Sequence, residues 1–283
     1  MTRRFLAAAA PASLFMAAFF VVPCGVLFAY SFGEASYVEV SFGTSLANYA
    51  EVLGRPLYRE LILRSLWMGG TVGVATVVLA FPLAYAITLG PYQRYGTAVL
   101  LTVVISLFTA YIVRIYAWRT LLGRSGALNE ALLTLGLIDK PLEFLLYSQF
   151  ALIVTLTSVL IPVAILPLSS ALAGVPRSQI EAARNLGASA WGAFLRVTIP
   201  LANRGIVSAF ALTFVITAGD FVTPQLVGSP NAQLAGNAVV SRFGLSFDWP
   251  LGSALAFSLV VAIGAILWMV MAVLRLVGVK DRP

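Results

Sequence analysis

The sequence contains no histidine and a single cysteine, and only 10% of its 283 residues are charged. Without histidine it lacks the commonest general base and zinc ligand of proteins. One cysteine allows neither an internal disulfide nor a thiol-rich metal site. The sequence also has no GxxxxGK[S/T] loop to bind the phosphates of a nucleotide. We therefore expect no enzyme activity, metal or cofactor on this chain.

Apolar residues are abundant instead, at 60% of the chain, and the mean hydropathy is +0.95. A helix needs about 20 apolar residues to cross the roughly 30 Å hydrocarbon core of a membrane. Uncharged runs near this length predict an all-α, polytopic membrane protein with six transmembrane helices. The runs are Phe5–Tyr30, Leu66–Leu89, Thr97–Val113, Phe150–Leu172, Gly205–Gly219 and Leu251–Leu274. The fifth reaches spanning length only if its helix continues to Thr223, where Pro224 would end it.

The charges between these runs predict their orientation, because cytoplasmic segments of membrane proteins are enriched in Lys and Arg. With both termini in the cytoplasm, the inner segments carry the basic excess and the outer segments a slight acidic excess. The basic residues placed inside are Arg3, Arg4, Arg94, Arg177, Arg184, Arg196, Arg204, Arg275, Lys280 and Arg282. The net charge of +7 therefore follows from topology, and a nucleic-acid partner is not needed to explain it.

The amino-terminal run follows Arg3 and Arg4, as the apolar segment of a signal peptide would. It is longer than a typical cleaved segment, and no small-residue cleavage site follows it. We therefore expect it to be retained as the first span. Pro23 does not fit the position before a lipoprotein cysteine, so we expect Cys24 to be a buried, small apolar residue.

The polar loop between the fourth and fifth runs is the most informative segment. Ser178 and Glu181 have the spacing of a capping box, in which two side chains satisfy the first amides of a helix. Gly187 is placed to end that helix in the left-handed conformation. The loop therefore predicts a short helix over Gln179–Leu186 and a second helix over about Ala190–Val197.

Helical spacing puts Ile180, Ala183 and Gly187 on one face of the first helix. The opposite face carries Glu181, Arg184 and Asn185. One interpretation is an amphipathic helix that lies on the inner leaflet of the membrane. Such helices usually carry a continuous stripe of bulky apolar residues. The small face seen here suits docking in a groove of another protein.

The same loop carries a family resemblance. Glu181-Ala182-Ala183, followed by Gly187 and then by Ile199-Pro200, resembles the EAA motif of binding-protein-dependent ABC importer permeases. Further segments, which together span most of the chain, resemble permeases of the spermidine/putrescine (PotB/PotH-like) type. These segments are Asn48-Tyr49, Pro82–Tyr85, Arg114–Trp118, Gly126–Asn129 and Gly219–Gly228.

This resemblance implies a type I importer (MetI-like) permease fold within a larger complex of the bacterial inner membrane. The implied partners are a second, PotC-like permease, two ATPase subunits that bind ATP and magnesium, and a periplasmic substrate-binding protein. The EAA helix would dock in a cleft of an ATPase subunit and couple ATP hydrolysis to alternating access of the permease pair. The implied coupling residues are Glu181, Ala182, Ala183, Arg184, Leu186 and Gly187.

The resemblance also divides the single transmembrane domain, residues 1–283, into functional parts. Residues 1–60 would hold the first span and a periplasmic segment. Residues 61–276 would form the permease core of five spans, with the coupling loop at residues 174–203.

Two features are predicted on the outer side of the membrane. Four apolar residues at helical spacing predict an amphipathic helix, which either packs on the protein's own rim or helps to dock the binding protein. They are Leu128, Ala131, Leu132 and Leu135. Asp220 lies at the edge of the fifth span, where a carboxylate is costly unless it faces water or a partner. It is either a contact for a cationic substrate or an interfacial residue that ends a helix, with Arg114 or Arg119 as its partner.

Other functions fit less well. An ion-coupled secondary transporter would be expected to show internal repeats and midplane carboxylates or broken helices. The sequence shows no repeat, and Asp220 is the only carboxylate near the membrane. A membrane-embedded enzyme would need a catalytic constellation. The resemblance indicates polyamines as the solute, but related permeases carry opines, amino-acid derivatives, phosphonates or thiamine, and the substrate stays open at this point.

Overall fold

The structure is a computed structural model that describes residues 11, 14–35 and 40–276. These residues are helical almost throughout, so the all-α prediction is confirmed. The helices are α1 (Leu14–Tyr30), α2 (Ala47–Gly54), α3 (Pro56–Thr88), α4 (Gly96–Phe108), α5 (Tyr111–Leu122), α6 (Ala127–Thr134), α7 (Gln149–Ala173), α8 (Arg177–Asn185), α9 (Ala190–Leu201), α10 (Asn203–Ala218), α11 (Val222–Val227), α12 (Ala235–Gly244) and α13 (Trp249–Leu276). A small antiparallel ribbon pairs β1 (Glu34–Ala35) with β2 (Val40–Ser41). Three 3₁₀ turns occupy Gln93–Tyr95, Glu143–Leu145 and Pro230–Ala232.

Within the described residues, three helices are long and apolar enough to cross a membrane: α3, α7 and α13. Two sharply bent helix pairs raise the number of spans to five if each pair crosses the membrane as one span. The pairs are Gln93–Phe108 with Tyr111–Thr134 and Ala190–Leu201 with Asn203–Ala218. The remaining predicted span is represented by α1, a shorter apolar helix. Its predicted start at Phe5 lies outside the described residues, as do the terminal charges used to assign orientation. The chain is therefore a polytopic helical membrane protein, and its described residues hold three to five candidate spans where six were predicted.

The third predicted span, Thr97–Val113, was wrong as a continuous helix. The chain breaks between α4 and α5, and the two parts of the pair are bent by 92°. Thr109 and Ala110 are extended there. The Ser106 hydroxyl donates to the Val103 carbonyl oxygen (2.7 Å) and so competes with the helical ladder at the end of α4. No proline or glycine marks this break in the sequence.

The predicted end of the fifth span was also wrong. The helix α10 ends at Ala218, before Gly219, and does not continue to Thr223. The Asp220 side chain accepts a hydrogen bond from the Val222 backbone N–H and thereby starts the new helix α11. Pro224 lies in the first turn of α11, where a missing N–H costs no helical bond.

The described chain forms two compact units, whose boundaries fall within α3, at the start of α12 and within α13. The larger unit comprises Leu63–Leu234 and the described residues from Ile263 onward. Its centre is α7, which is buried along most of its length and packs along α10. One apolar cluster gathers around Leu152 and Leu156 of α7, and another around Leu168 and Leu172.

The smaller unit comprises the described residues up to Ile62 together with Ala235–Ala262. Its core consists of Val52, Tyr58, Leu251, Ala254 and Leu255. Cys24 of α1 is exposed, so the prediction of a buried cysteine was wrong. Since lipid is as apolar as a protein core, a small apolar side chain on a membrane helix needs no burial within its own chain.

Candidate functional site

The loop between α7 and α10 folds as two short helices, α8 and α9. The helix α8 begins at Arg177 after Pro176, whose extended backbone provides the N-cap. No side chain caps it, and Ser178 lies within its first turn, so the predicted capping box was wrong. Proline at this point fixes the backbone that enters the helix, and the helix therefore starts two residues earlier than predicted.

The end of α8 is the feature that the sequence predicted best. Gly187 has a φ of +91°, in the left-handed region that glycine occupies at little cost. The Ala188 N–H donates to the Ala183 carbonyl oxygen (3.0 Å) and the Gly187 N–H to the Arg184 carbonyl oxygen (3.0 Å). These two bonds form a Schellman motif. The helix is thus a short, firmly closed rod, although its last helical residue is Asn185.

The two faces of α8 have the predicted composition, but the small apolar face, which was expected to dock in another protein, packs against the chain's own core. Ile180 and Ala183 are half-buried, and Ile180 packs against the cluster around Leu168 and Leu172. The other face is exposed to solvent along Glu181, Ala182, Arg184 and Asn185. Gly187, which was placed on the same face as Ile180 and Ala183, is exposed. The loop is therefore anchored from beneath and presents its polar surface away from the core.

The second helix, α9, is longer than predicted. The Ser189 side chain caps it by accepting from the Gly192 N–H (3.0 Å), and the helix continues through a π-helical stretch, Phe194–Thr198. Leu186 and Trp191, which flank the cap, have 89% and 68% of their surface exposed. Apolar side chains exposed here are accessible to a protein partner or to lipid.

A contact between two loops escaped the sequence analysis. The Arg177 guanidinium donates to the Gln93 side-chain oxygen, which joins the start of α8 to the loop between α3 and α4. Arg177 was assigned only a topological role, because 84 positions separate it from Gln93. Nothing in the local pattern of either residue indicates the other.

The loop that follows α5 contains the predicted amphipathic helix as α6. Leu128 and Leu132 are half-buried, whereas Ala131 and Leu135 are exposed, so only half of the predicted stripe packs inward. The main anchor is Asn129, which is fully buried. Its amide donates to the Gly123 carbonyl oxygen (3.1 Å) and accepts from the Leu142 N–H (2.8 Å).

Asp220 lies between α10 and α11 with only 7% of its surface exposed. Its carboxylate accepts from the Val222 N–H (3.0 Å), the Thr223 N–H (3.3 Å) and the Tyr111 hydroxyl (3.2 Å). The Tyr111 and Thr223 hydroxyls are also 3.1 Å apart. The carboxylate therefore caps α11 and ties it to α5. Contact with substrate stays a prediction.

Neither arginine proposed as a partner of Asp220 bonds to it. Arg119 donates to the Tyr147 hydroxyl (3.3 Å). Arg114 donates from Nη1 to the Val159 carbonyl oxygen (2.9 Å), while its Nε is buried without a partner among the described residues.

Arg114 also lines a cleft of about 270 Å³ between α5 and α7. The other lining residues are Ala117, Trp118, Leu121, Ser158 and Val159. Pro162 has no N–H to offer the Ser158 carbonyl oxygen one turn earlier. The cleft therefore opens beside a proline-weakened turn of α7.

Within the part of the chain that the structure describes, no group of three or more His, Cys, Asp or Glu side chains is placed to hold a metal ion. The residues singled out from the sequence lie in two regions, the exposed part of the loop between α7 and α10 and the polar region around Asp220.

Comparison with known proteins gives a consistent result. A family model described as "Binding-protein-dependent transport system inner membrane component" matches residues 40–278. The "Spermidine/putrescine transport system permease protein PotB" of Salmonella typhimurium is 34% identical over 247 residues, which cover 87% of this chain and 84% of that protein. PotB of Escherichia coli is 33% identical, with 87% and 88% covered. The "Inner membrane ABC transporter permease protein YdcU" of Escherichia coli is 33% identical, with 82% and 75% covered.

The fold also matches a solved structure of a bacterial ABC transporter involved in the import of alginate. The TM-score is 0.71 at 19% identity, and the match covers 98% of this chain and 97% of the other. A structure of the alginate transporter in complex with its periplasmic protein matches with a TM-score of 0.72 at 18% identity. These similarities establish the fold.

Proposed function

Because the chain belongs to the family of binding-protein-dependent inner membrane permeases, we propose that it moves polyamines such as spermidine and putrescine into the cell. It is a permease subunit of an ABC importer in the bacterial inner membrane and lacks ATPase activity itself. It acts with ATPase subunits and a periplasmic binding protein, and no cofactor is expected on this chain. These shared properties leave the solute as the point to be tested.

The similarity to PotB supports polyamines, since relatives named for spermidine and putrescine align over 87% of the chain at 33–34% identity. The cleft at Arg114 does not add to this support, because a guanidinium repels a polycation at close range. A phosphonate or an amino-acid derivative is the second candidate, and Arg114 is the observation that favours it, since a guanidinium pairs well with phosphonate or carboxylate oxygens.

We further propose that Asp220 lies beside the substrate path. Its oxygens are occupied by its own chain, so its effect on a passing cation would be the attraction of its charge. In a medium of low dielectric such attraction acts over several ångströms. Direct contact would require the substrate to displace the Tyr111 hydroxyl.

The coupling role proposed for Glu181, Ala182, Ala183, Arg184, Leu186 and Gly187 is supported by the geometry of α8. A lever needs one face fixed to the core and one face free for a partner, and α8 has both. We propose that this free face docks in an ATPase subunit, and that a PotC-like permease pairs with the chain through its exposed membrane helices. The proposed topology keeps both termini in the cytoplasm.

The substrate assignment is tested with the purified periplasmic binding protein that stimulates ATP hydrolysis by the complex. Calorimetry should show tight binding of spermidine or putrescine, and proteoliposomes that contain the full complex should accumulate the same labelled solute. Tight binding of 2-aminoethylphosphonate or an amino-acid derivative, with no polyamine binding, would overturn the polyamine proposal. That result would leave the importer function intact.

A further inference from the structure

A series of aromatic rings joins the exposed surface of the loop between α7 and α10 to the membrane helix α3. The rings of Trp191 and Phe194 are stacked with their centroids 5.1 Å apart. Phe194 in turn meets Tyr85 edge-on at 5.5 Å and Phe81 edge-on at 5.8 Å. Both geometries are favoured arrangements of aromatic pairs. Two ring contacts therefore connect α9 to α3, and a third links Trp191 to Phe194 within α9.

Burial increases along this series of rings. Trp191 is exposed, Phe194 is half-buried against the cluster around Leu168 and Leu172, and Phe81 is buried within that cluster. At Phe81 the rings are surrounded by protein and not by solvent. Close-packed interiors shift between discrete arrangements and do not compress. Movement of the Phe194 ring is therefore transmitted to α3 or breaks its contacts with Phe81 and Tyr85.

The innermost rings of this aromatic series lie at a weak point of α3. Phe81 and Tyr85 flank Pro82, which lies inside the helix. Proline has no N–H for the Val78 carbonyl oxygen and crowds that turn, so the helix bends more easily there than elsewhere. The ring of Phe194 therefore touches α3 at the turn that is most easily bent.

The outer end adjoins the proposed docking surface. Trp191 follows the Ser189 cap, and Leu186 lies five positions before it. The first helix, α8, packs against the π-helical stretch that begins at Phe194. Such widened turns occur often at functional positions of helices. The α8 helix therefore has a direct contact path to the stretch that begins at Phe194.

We propose that Trp191 is a second ATPase-docking side chain and that Phe194 transmits movement of the docked loop to α3 at Pro82. The proposal rests on the docking role of the loop given above. It extends that role to a route from Trp191 through Phe194 to α3, which is called the relay. Phe194 is a positioning residue in this scheme, since it touches neither ATP nor the transported solute. The alternative for Trp191 is an anchor in the inner leaflet, because tryptophan is enriched at membrane interfaces.

The test uses the complete complex with its binding protein in nanodiscs and proteoliposomes, and it compares Phe194→Ala, Phe194→Tyr and Trp191→Ala. The readouts are retention of the ATPase subunits, ATP hydrolysis stimulated by the binding protein, and solute imported per ATP hydrolysed. Phe144→Ala is the matched control, because it removes an edge-on ring pair (Phe144 and Phe150, 5.8 Å) away from the loop.

For Phe194→Ala we expect the ATPases to remain bound while import per ATP falls about tenfold, within the usual range of coupling between sites. Phe194→Tyr should keep the ring and restore most of the coupling, and Phe144→Ala should leave the ratio unchanged. If Phe194→Ala fails to assemble, Tyr85→Leu and Phe194→Leu, alone and combined, supply the same test as a double-mutant cycle. Additive effects on import per ATP, or an unchanged ratio in every variant, would overturn the relay.

Trp191→Ala should weaken retention of the ATPase subunits, and a photo-crosslinker at position 191 should label an ATPase subunit. Labelling of lipid alone would overturn the docking role of Trp191. The Gly187→Asp variant distinguishes a failure of the relay from a failure of the docking proposal. If Gly187→Asp releases the ATPases while Phe194→Ala leaves import per ATP unchanged, only the relay is wrong. If Gly187→Asp retains the ATPases, the docking proposal itself is contradicted.

Discussion

Gly205 of α10 lies directly against Pro167 of α7. A Cβ atom at position 205 would come within 2.7 Å of the Pro167 carbonyl oxygen and 2.3 Å of the Ala171 Cβ. Both distances are shorter than van der Waals contact, and the obstacle includes backbone that cannot rotate away. Close packing of two membrane helices depends on small residues at such crossings. This contact sets how closely α10 approaches α7.

Gly205→Val should therefore separate α7 from α10 and destabilise the protein by about 1–3 kcal/mol, the usual cost of overpacking. Thermal unfolding of the detergent-solubilised complex measures the loss. Gly70→Ala is the control, because it lies in α3 and an added Cβ would meet no atom within 4 Å. Wild-type stability of Gly205→Val would contradict the close approach of these helices.

Gly187→Asp should abolish uptake and release the ATPase subunits, while the chain still inserts into the membrane. An L residue at a φ of +91° is strained by roughly 1–2 kcal/mol, and the strain would distort the end of α8. Gly187→Asn should be milder because asparagine tolerates this conformation better. Membrane fractionation, uptake and co-purification of the ATPases are the measurements.

The matched control for this prediction is Gly136→Asp. Gly136 also has a positive φ, +67°, with open space around it, but it follows α6 and lies outside the loop. Its substitution should leave the ATPase subunits bound. Loss of the ATPases in both variants would show that the effect is general instability and not the loop.

Asp220→Asn should reduce transport of putrescine with little change in stability. Asparagine remains a good cap for α11, so the substitution removes mainly the charge. For unit charges about 10 Å apart at an effective dielectric of about 20, the lost attraction is about 1–2 kcal/mol, roughly tenfold in transport efficiency. Asp220→Ala should also lose the cap and cost about 1 kcal/mol more.

Tyr111→Phe serves as its control, since it removes a hydrogen bond to Asp220 without changing charge. Transport kinetics of Asp220→Asn equal to those of wild type would limit Asp220 to its role as a cap. Uptake assays over a range of putrescine concentrations, with expression checked in parallel, distinguish the two results.

Asn129→Leu should loosen the segment between α5 and α7. The buried amide bonds to Gly123 and Leu142, and leaving such backbone groups unpaired costs about 1–3 kcal/mol. Limited proteolysis should cut this segment faster in the variant. Thr134→Ala, which removes only an exposed hydroxyl bond to Glu130, should keep the wild-type pattern, and equal cleavage of all three proteins would refute the anchoring role of Asn129.

The features that could be predicted from sequence are those set by local chemistry. Apolar runs identified the membrane helices, and Gly187 identified the end of α8 because few residues other than glycine adopt its backbone conformation. The break at Thr109 and Ala110 was missed since neither residue interrupts helices by its own preference. The Ser178 capping box was wrong because Pro176 determined the start of the helix instead.

Contacts between distant positions could not be predicted. Phe194 meets Phe81 and Tyr85 across more than a hundred residues, and no pattern in a single sequence records that pairing. The same is true of Arg177 with Gln93 and of Tyr111 with Asp220. Asp220 drew attention as a charge beside a span, but only its hydrogen bonds show how it caps α11.

The central claim, that the loop docks in an ATPase subunit, is tested most directly by crosslinking from Ala182, which is exposed on the free face of α8. The chain's single cysteine is removed as Cys24→Ser, Ala182→Cys is introduced, and the assembled complex in native membranes is treated with a short thiol-specific photo-crosslinker. The account predicts a covalent product between the permease and an ATPase subunit, with a yield that changes when ATP binds. A probe at position 182 that labels only lipid, with no ATPase product in either nucleotide state, would contradict it.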